Sequence, residues 1–408
     1  MNLELFIAKR LVSNNRFSFS KPIIRLIIFS IALGLSAILL SVAIVKAYKV
    51  ELVEKMSGFA GHIQVRVYDM NNSFESNPIL YDAAYVREIG GLKNIRSISS
   101  VAYKSGIIKT EGEVEGVVIK GVGKDFNRSF LEENLNMGKV PVYGLGKKND
   151  SIVISKLTAN KLRLHLGDRI RMYFFDQKIL KTRGRKFVIA GVFETGLEQF
   201  DGQFLIADIR HVQKLNHWDS TQISAYEMQI DGFDKLRGLE KQIIQRTDYE
   251  NDVRRVDELY PAMFQWLQLH DKNVEVIIGL VLMIAAITMI SLLLILILER
   301  TQLIGILKAL GCTNACVRKV FIFQSIYIVG QALLYGNLVS YGLIFLQSRF
   351  HLIPLDKSSY YVSYIPMQAD WFSFIAINIG AILLSLLVLL IPSIIITKIK
   401  PLKAIRFS

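Results

Sequence analysis

The chain has 408 residues, a mean hydropathy of +0.35 and a formal net charge of +14. An apolar share of 51% beside a charged share of 21% excludes an ordinary soluble chain and a wholly membranous one alike, and fits membrane spans that carry a soluble domain. Residues 46–273 hold 34 Lys and Arg against 30 Asp and Glu, so most of the excess charge lies beside the apolar runs, where membrane anchoring explains it and nucleic-acid binding does not.

Residues 1–25 form a basic leader. Leu3, Phe6, Ile7 and Leu11 share one helical face, with Glu4, Lys9 and Arg10 off it. This reads as an amphipathic helix on the inner membrane surface, although a solvated leader fits the pattern about equally well. Residues 26–45 are 20 residues without a charge, enough to cross a bilayer core of about 30 Å, and read as a signal-anchor helix. A helical stalk follows over 46–56, ended by Ser57 and Gly58. Residues 62–67 alternate as a strand, 81–92 read as a helix, and 106–110, 115–122 and 151–155 as strands, with a helix at 156–164. Two alternating strands, 167–175 and 185–195, flank a polar tip at 176–184 and predict a projecting hairpin. Strand-then-helix pairs follow at 203–216 and 226–246, and 256–273 read as a second stalk helix.

Three further uncharged runs, 276–298, 320–348 and 371–397, bring the spans to four. The expected fold class is therefore an α-helical membrane protein with four transmembrane helices and one large mixed α+β extracytoplasmic domain between the first and second. Its parts are the leader 1–25, spans at 26–45, 274–298, 320–348 and 371–397, the domain at 46–273, a connector at 299–319, a loop at 349–370 and a tail at 398–408. Basic residues set the orientation. Lys9, Arg10, Arg16, Lys21 and Arg25 in the leader, Arg300, Lys308, Arg318 and Lys319 in the connector, and Lys398, Lys400, Lys403 and Arg406 in the tail place both termini and the connector in the cytoplasm. The charge-balanced loop and the large domain then face outward.

Chemistry of several kinds is not encoded. "GVGKD" and "GLGKK" lack the upstream glycine and the hydroxyl residue of a phosphate-cradling loop, so the chain is not expected to hydrolyse ATP. The six histidines are scattered, His211 and His217 being nearest one another, and no metal or catalytic set is assigned. Cys312 and Cys316 lack further Cys or His partners and read as ordinary small residues. No charged residue falls inside the uncharged runs, and Glu275 lies only at the edge of its span, which argues against an ion-coupled transporter and leaves the energy source to a partner.

The most specific stretch is "ERTQLIGILKALGCTNACVRKVFIFQS", residues 299–325. It predicts a short helix capped by Gly311, followed by a helix that starts at Thr313 or Asn314. This stretch resembles the permease family of FtsX, the MacB efflux pump and the lipoprotein-releasing LolC and LolE subunits. The shared pattern falls on Arg300, Ile304, Gly305, Ile306, Ala309 and Gly311. The tail, with Pro401, Ala404, Ile405 and Arg406, is similar to the family's closing motif. Gly330, Gly336 and Gly342 give the third span a small-residue pattern suited to close helix packing. "GFAGHIQV" (58–65) and the loop at 350–370 resemble the lipoprotein-releasing branch.

The resemblance implies a permease subunit that binds no cofactor itself and works with cytoplasmic ATPase subunits that hold ATP-Mg. A second permease subunit, identical or paired, would complete a dimer in the bacterial inner membrane. Arg300, Ile304, Gly305, Ile306, Leu307, Lys308, Ala309 and Gly311 would couple it to the ATPase. The substrate would be a lipoprotein drawn from membrane lipid. Lys178, Ile179, Leu180 and Lys181 at the hairpin would meet a periplasmic lipoprotein chaperone, or be an ordinary solvated tip. Efflux of the MacB type and signalling of the FtsX type remain as alternatives.

Overall fold

The computed structural model describes residues 20–69, 74–75, 77–176 and 180–398. The expected interfacial helix at residues 3–12, the tip residues Lys178 and Ile179, and the tail motif from Lys400 onward lie outside them. One helix, α1 (Ser20–Ala60), carries the first uncharged run and continues without a break through the expected stalk. Ser57 and Gly58 do not end it. Ser57 Oγ donates to Val53 O at 2.6 Å inside the helix, and Gly58 is small because a Cβ there would sit 2.3 Å from the Phe130 ring. The stop falls at Gly61, whose φ of +78° is a conformation that only glycine adopts at little cost. Its N–H closes the last turn on Ser57 O at 2.8 Å.

The chain divides into two compact units, one comprising Val50–Gln265 with Leu355–Ser363 and the other the membrane helices. The first unit contains β1 (Ile63–Val67), β2 (Ile79–Leu80), α2 (Ala83–Gly90), β3 (Ile95–Lys109), β4 (Val114–Val122), α3 (Ser129–Glu133), β5 (Leu135–Gly138) and β6 (Ser151–Ser155). There follow α4 (Lys156–Leu162), β7 (Arg169–Asp176), β8 (Lys181–Phe193), α5 (Glu198–Asp201), β9 (Phe204–Asp208), α6 (Ile209–Leu215), β10 (Gln222–Ile223), β11 (Ala225–Ile230), α7 (Leu236–Ile244), β12 (Asn251–Arg255) and α8 (Val256–Leu259). Side-chain caps start three of the helices, with Asp82, Ser155 and Asp208 accepting from Ala84 N, Thr158 N and Arg210 N. The sequence reading had no counterpart for β2, β5, β10, β12, α3 or α5, which are too short to show a period.

The strand order is β12-β1-β11-β3-β4-β9-β6-β8-β5, and β7 pairs with both β3 and β8. The run β3-β4-β9-β6-β8-β7 therefore returns to β3 and closes a six-stranded ring. Alternation along β7 sends Ile170, Met172 and Phe174 inward, where they meet Ile108, Val117, Ile119, Ile154, Phe187 and Leu205 in the core. Burial of each such side chain contributes about 1.5–3 kcal/mol. The rest of β11, β1 and β12 extends the sheet on one side of the ring.

The expected second stalk is two pieces, because Pro261 opens a new helix, α9 (Pro261–Glu299), at a first-turn position where its missing N–H costs nothing. It is followed by α10 (Thr301–Ala309), α11 (Asn314–Phe350), α12 (Lys357–Tyr360) and α13 (Trp371–Lys398). Among the described residues four helices are long and apolar enough to cross a membrane, at Ile24–Ala60, Pro261–Ser291, Asn314–Phe350 and Trp371–Val388. Within the membrane unit, Ile27, Leu35 and Leu39 of α1, Met289 of α9, Ile328, Val329 and Leu333 of α11 and Val388 of α13 form one apolar cluster. The amides of Asn337 and Asn378 bond each other across α11 and α13 at 2.9 and 3.2 Å. At one end of the bundle Lys46 pairs with Asp370 at 2.5 Å and Lys49 with Asp271 at 2.7 Å.

Candidate functional site

The connector between α9 and α11 is built by end chemistry at both sides of α10. Gly311 N donates to Lys308 O at 3.1 Å and Cys312 N to Leu307 O at 3.0 Å, while Gly311 takes φ +90°. That pair of bonds about a left-handed glycine is a Schellman stop. The next helix begins at once, with the Thr313 side chain accepting from Cys316 N. Ile304 of α10 is buried with Ile297 of α9 and Val317 and Phe321 of α11, and Leu307 and Cys312 pack against them. The helix is thereby clamped between two spans.

This burial divides the expected coupling residues. Ile304 and Gly305 are inside and hold α10 in place, and Leu307 and Lys308 are half-buried. Ile306 and Ala309 are exposed, joined by Gln302 and by Leu310, which is 80% exposed. Gln302 and Leu310 were missed in the sequence reading, yet Gln302, Ile306 and Leu310 recur at steps of four, the signature of one helical face. Arg300 sits at the junction before α10, with its carbonyl accepting from Ile304 N at 3.0 Å. Cys312 and Cys316 are not merely small residues. The first turn of α11 brings their Cα atoms to 5.9 Å, and the two are joined as a disulfide.

The hairpin is shorter at its tip than expected. Asp176 and Lys181 are paired ends of β7 and β8, and Lys181, Arg183 and Arg185 belong to a strand. Buried Asp176 anchors the base by receiving Arg183 at 3.1 Å and His217 at 2.7 Å. Leu180 is 76% exposed in a left-handed conformation, φ +52°. Exposed Phe175 and Ile107, on the paired strands β7 and β3, add apolar surface that no sequence pattern singled out.

Residues 26–255 match the family described as MacB-like periplasmic core domain, and residues 275–401 match the FtsX-like permease C-terminal family. The chain belongs to the MacB-like and FtsX-like permease family. Members are permease subunits of ABC transporters. The permease is 21% identical to the lipoprotein-releasing system transmembrane protein LolC of Neisseria meningitidis serogroup B, with 100% of both chains covered. It is 19% identical to the LolE protein of Haemophilus influenzae, over 98% of each chain. Among solved structures, the periplasmic region of MacB from Actinobacillus actinomycetemcomitans matches with a TM-score of 0.34 at 13% identity, covering 49% of this chain and 91% of that one.

The three glycines of the permease's third membrane helix have different surroundings. A Cβ at Gly336 would meet Ala32 O at 2.9 Å and Leu35 Cδ2 at 3.0 Å, whereas Gly330 and Gly342 have nothing within 4 Å. At Gly336 α1 and α11 approach backbone to backbone, and Ser36 Oγ there donates to Gly336 O at 3.0 Å. Among the described residues no three His, Cys, Asp or Glu side chains gather as a metal set.

Proposed function

We propose that this permease extracts lipid-anchored proteins from the outer leaflet of the bacterial inner membrane, using ATP bound and hydrolysed by separate cytoplasmic subunits. The observation that carries the coupling is α10, which is held by buried Ile304 between two membrane helices while Ile306, Ala309 and Leu310 stay bare. A rigid helix with an uncovered apolar side is suited to receive a push from a docked ATPase and to pass it into the spans. The basic leader, connector and tail favour a cytoplasmic position for both termini and for α10, with the β domain periplasmic. A second permease subunit completes the assembly, and lipoprotein release is favoured by full-length similarity to LolC and LolE proteins.

Depletion of the permease tests the substrate. Lipoproteins bound for the outer membrane are expected to accumulate in the inner-membrane fraction, and an unchanged distribution refutes the assignment. Topology is tested separately. A cysteine at Lys357 should react with an impermeant thiol reagent from outside, while Cys312, after reduction, should not.

A further inference from the structure

A helix leaves its last four carbonyls without partners inside the helix. In α1 all four are satisfied, three of them by side chains from three different strands. Ser57 O accepts from Gly61 N at 2.8 Å. Gly58 O accepts from Gln229 Nε2 of β11 at 3.3 Å, Phe59 O from Lys120 Nζ of β4, and Ala60 O from Gln64 Nε2 of β1 at 2.9 Å. Lys120 is wholly buried and also pairs with buried Glu227 at 2.7 Å. Glu227 in turn accepts from Tyr103 Oη and from Gln64 Nε2. The Phe59 ring stacks on Phe200 at 4.7 Å, with the Lys120 ammonium 4.9 Å from its centroid.

Stability alone does not require such a pair, because well-packed apolar replacements for a buried ion pair are often neutral or stabilising. The pair does fix direction: a cation at the negative end of a helix, held by a carboxylate on a neighbouring strand, gives the helix end one orientation relative to the sheet. We infer that Lys120, Gln64 and Gln229, with Glu227 behind them, form a rigid joint that makes the β domain turn with the last part of α1, residues 50–60, as one body. These are positioning residues. The inference rests on the reading that this permease works by mechanical transmission, and it identifies where the transmitted motion enters the domain.

The test uses the full-length permease with its ATPase in lipid nanodiscs, with Cys312 and Cys316 replaced by Ser and spin labels at Val50 on α1 and Lys109 on β3. The distance distribution is expected to be narrow in the parent and broadened in Lys120→Met/Glu227→Gln, which removes both charges and keeps volume. Release of a lipoprotein per ATP hydrolysed is expected to fall about fivefold, within the range for positions along a coupling path, while ATP hydrolysis continues. An unbroadened distribution overturns the joint, and so does a broadened one with undiminished release per ATP. If the double variant does not insert, Gln229→Leu decides by the same two readouts, since it removes one bond and leaves the ion pair. If the parent releases no lipoprotein, the functional reading fails, and the distance distribution still decides whether the joint is rigid.

Discussion

Gly330, Gly336 and Gly342 are equivalent in sequence spacing and not in structure, which makes alanine replacement a sharp probe. At Gly336 the added methyl would lie 2.9 Å from Ala32 O and 3.3 Å from Ala32 Cα, both backbone atoms of a packed helix. Relief requires α1 and α11 to separate by about half an ångström, and overpacking of this kind costs about 1–3 kcal/mol. Separation also stretches the Ser36–Gly336 bond, worth about 0.6 kcal/mol in a membrane interior. The better helix propensity of alanine returns up to about 1 kcal/mol. The expected net loss for Gly336→Ala is about 1–2 kcal/mol, or a fall of roughly 2–8 °C in the melting temperature of a unit this size. Gly330→Ala and Gly342→Ala meet open space and should melt at or slightly above the parent temperature. Fluorescence-detected size-exclusion chromatography after heating the detergent-solubilised permease measures all three. If Gly336→Ala melts with the other two, the close α1–α11 contact does not exist.

The connector offers a second probe: Gly311→Val forces a β-branched residue into φ +90° at a cost of roughly 1–2 kcal/mol, and should leave insertion intact while lowering stimulated ATPase activity. Ile306→Asp with Leu310→Asp should do so without touching the buried clamp, and full activity in both variants would make the segment a passive loop. His62 gives a pH signature. Burial, opposed by Asp231, lowers its pKa from 6.5 to about 4, and its Nδ1 accepts from Ile230 N, which requires a neutral ring. The unfolded chain therefore takes up the proton first. Stability is full above about pH 6.5, falls by up to about 1.4 kcal/mol per unit below it, and levels near pH 4; thermal melts of parent and His62→Gln should differ in slope across that window. At the hairpin, Ile179→Asp with Leu180→Asp should abolish capture of a lipoprotein-carrying chaperone by the reconstituted permease and leave the melting temperature unchanged, and undiminished capture removes the hairpin from the recognition surface.

The membrane helices were legible because uncharged runs have one common cause, the apolar bilayer core. The Gly311 stop was legible because few residues tolerate φ +90°. Gly58 was misread as a helix end, since a glycine kept small for a distant ring looks the same in one dimension as a glycine kept for its backbone. Ile304 and Ile306 occupy the same motif, and only the packing of α9 and α11 on α10 tells the buried one from the bare one. Lys120 lies in "GVVIKGV", where a lysine reads as the solvent side of a strand. Its burial depends on Glu227, more than a hundred residues later, and on the end of α1, sixty residues earlier. Such partners leave no local period to read.

The closed strand ring carries a kinetic consequence. β3 must find β7, and β4 must find β9 in parallel, across some 60 to 90 intervening residues, so loop-closure entropy is lost before any of these pairs forms. The β7–β8 hairpin is local and is able to form early, on microseconds. β1 has the longest wait: its two partners, β11 and β12, are synthesised more than 150 residues after it. Until then its apolar face and both its edges are unpaired, and Gly58 and Ala60 have no Gln229 or settled Gln64 to receive them. The end of α1 is thus sealed last, and during synthesis the nascent domain is held at the membrane by a helix whose far end is still free.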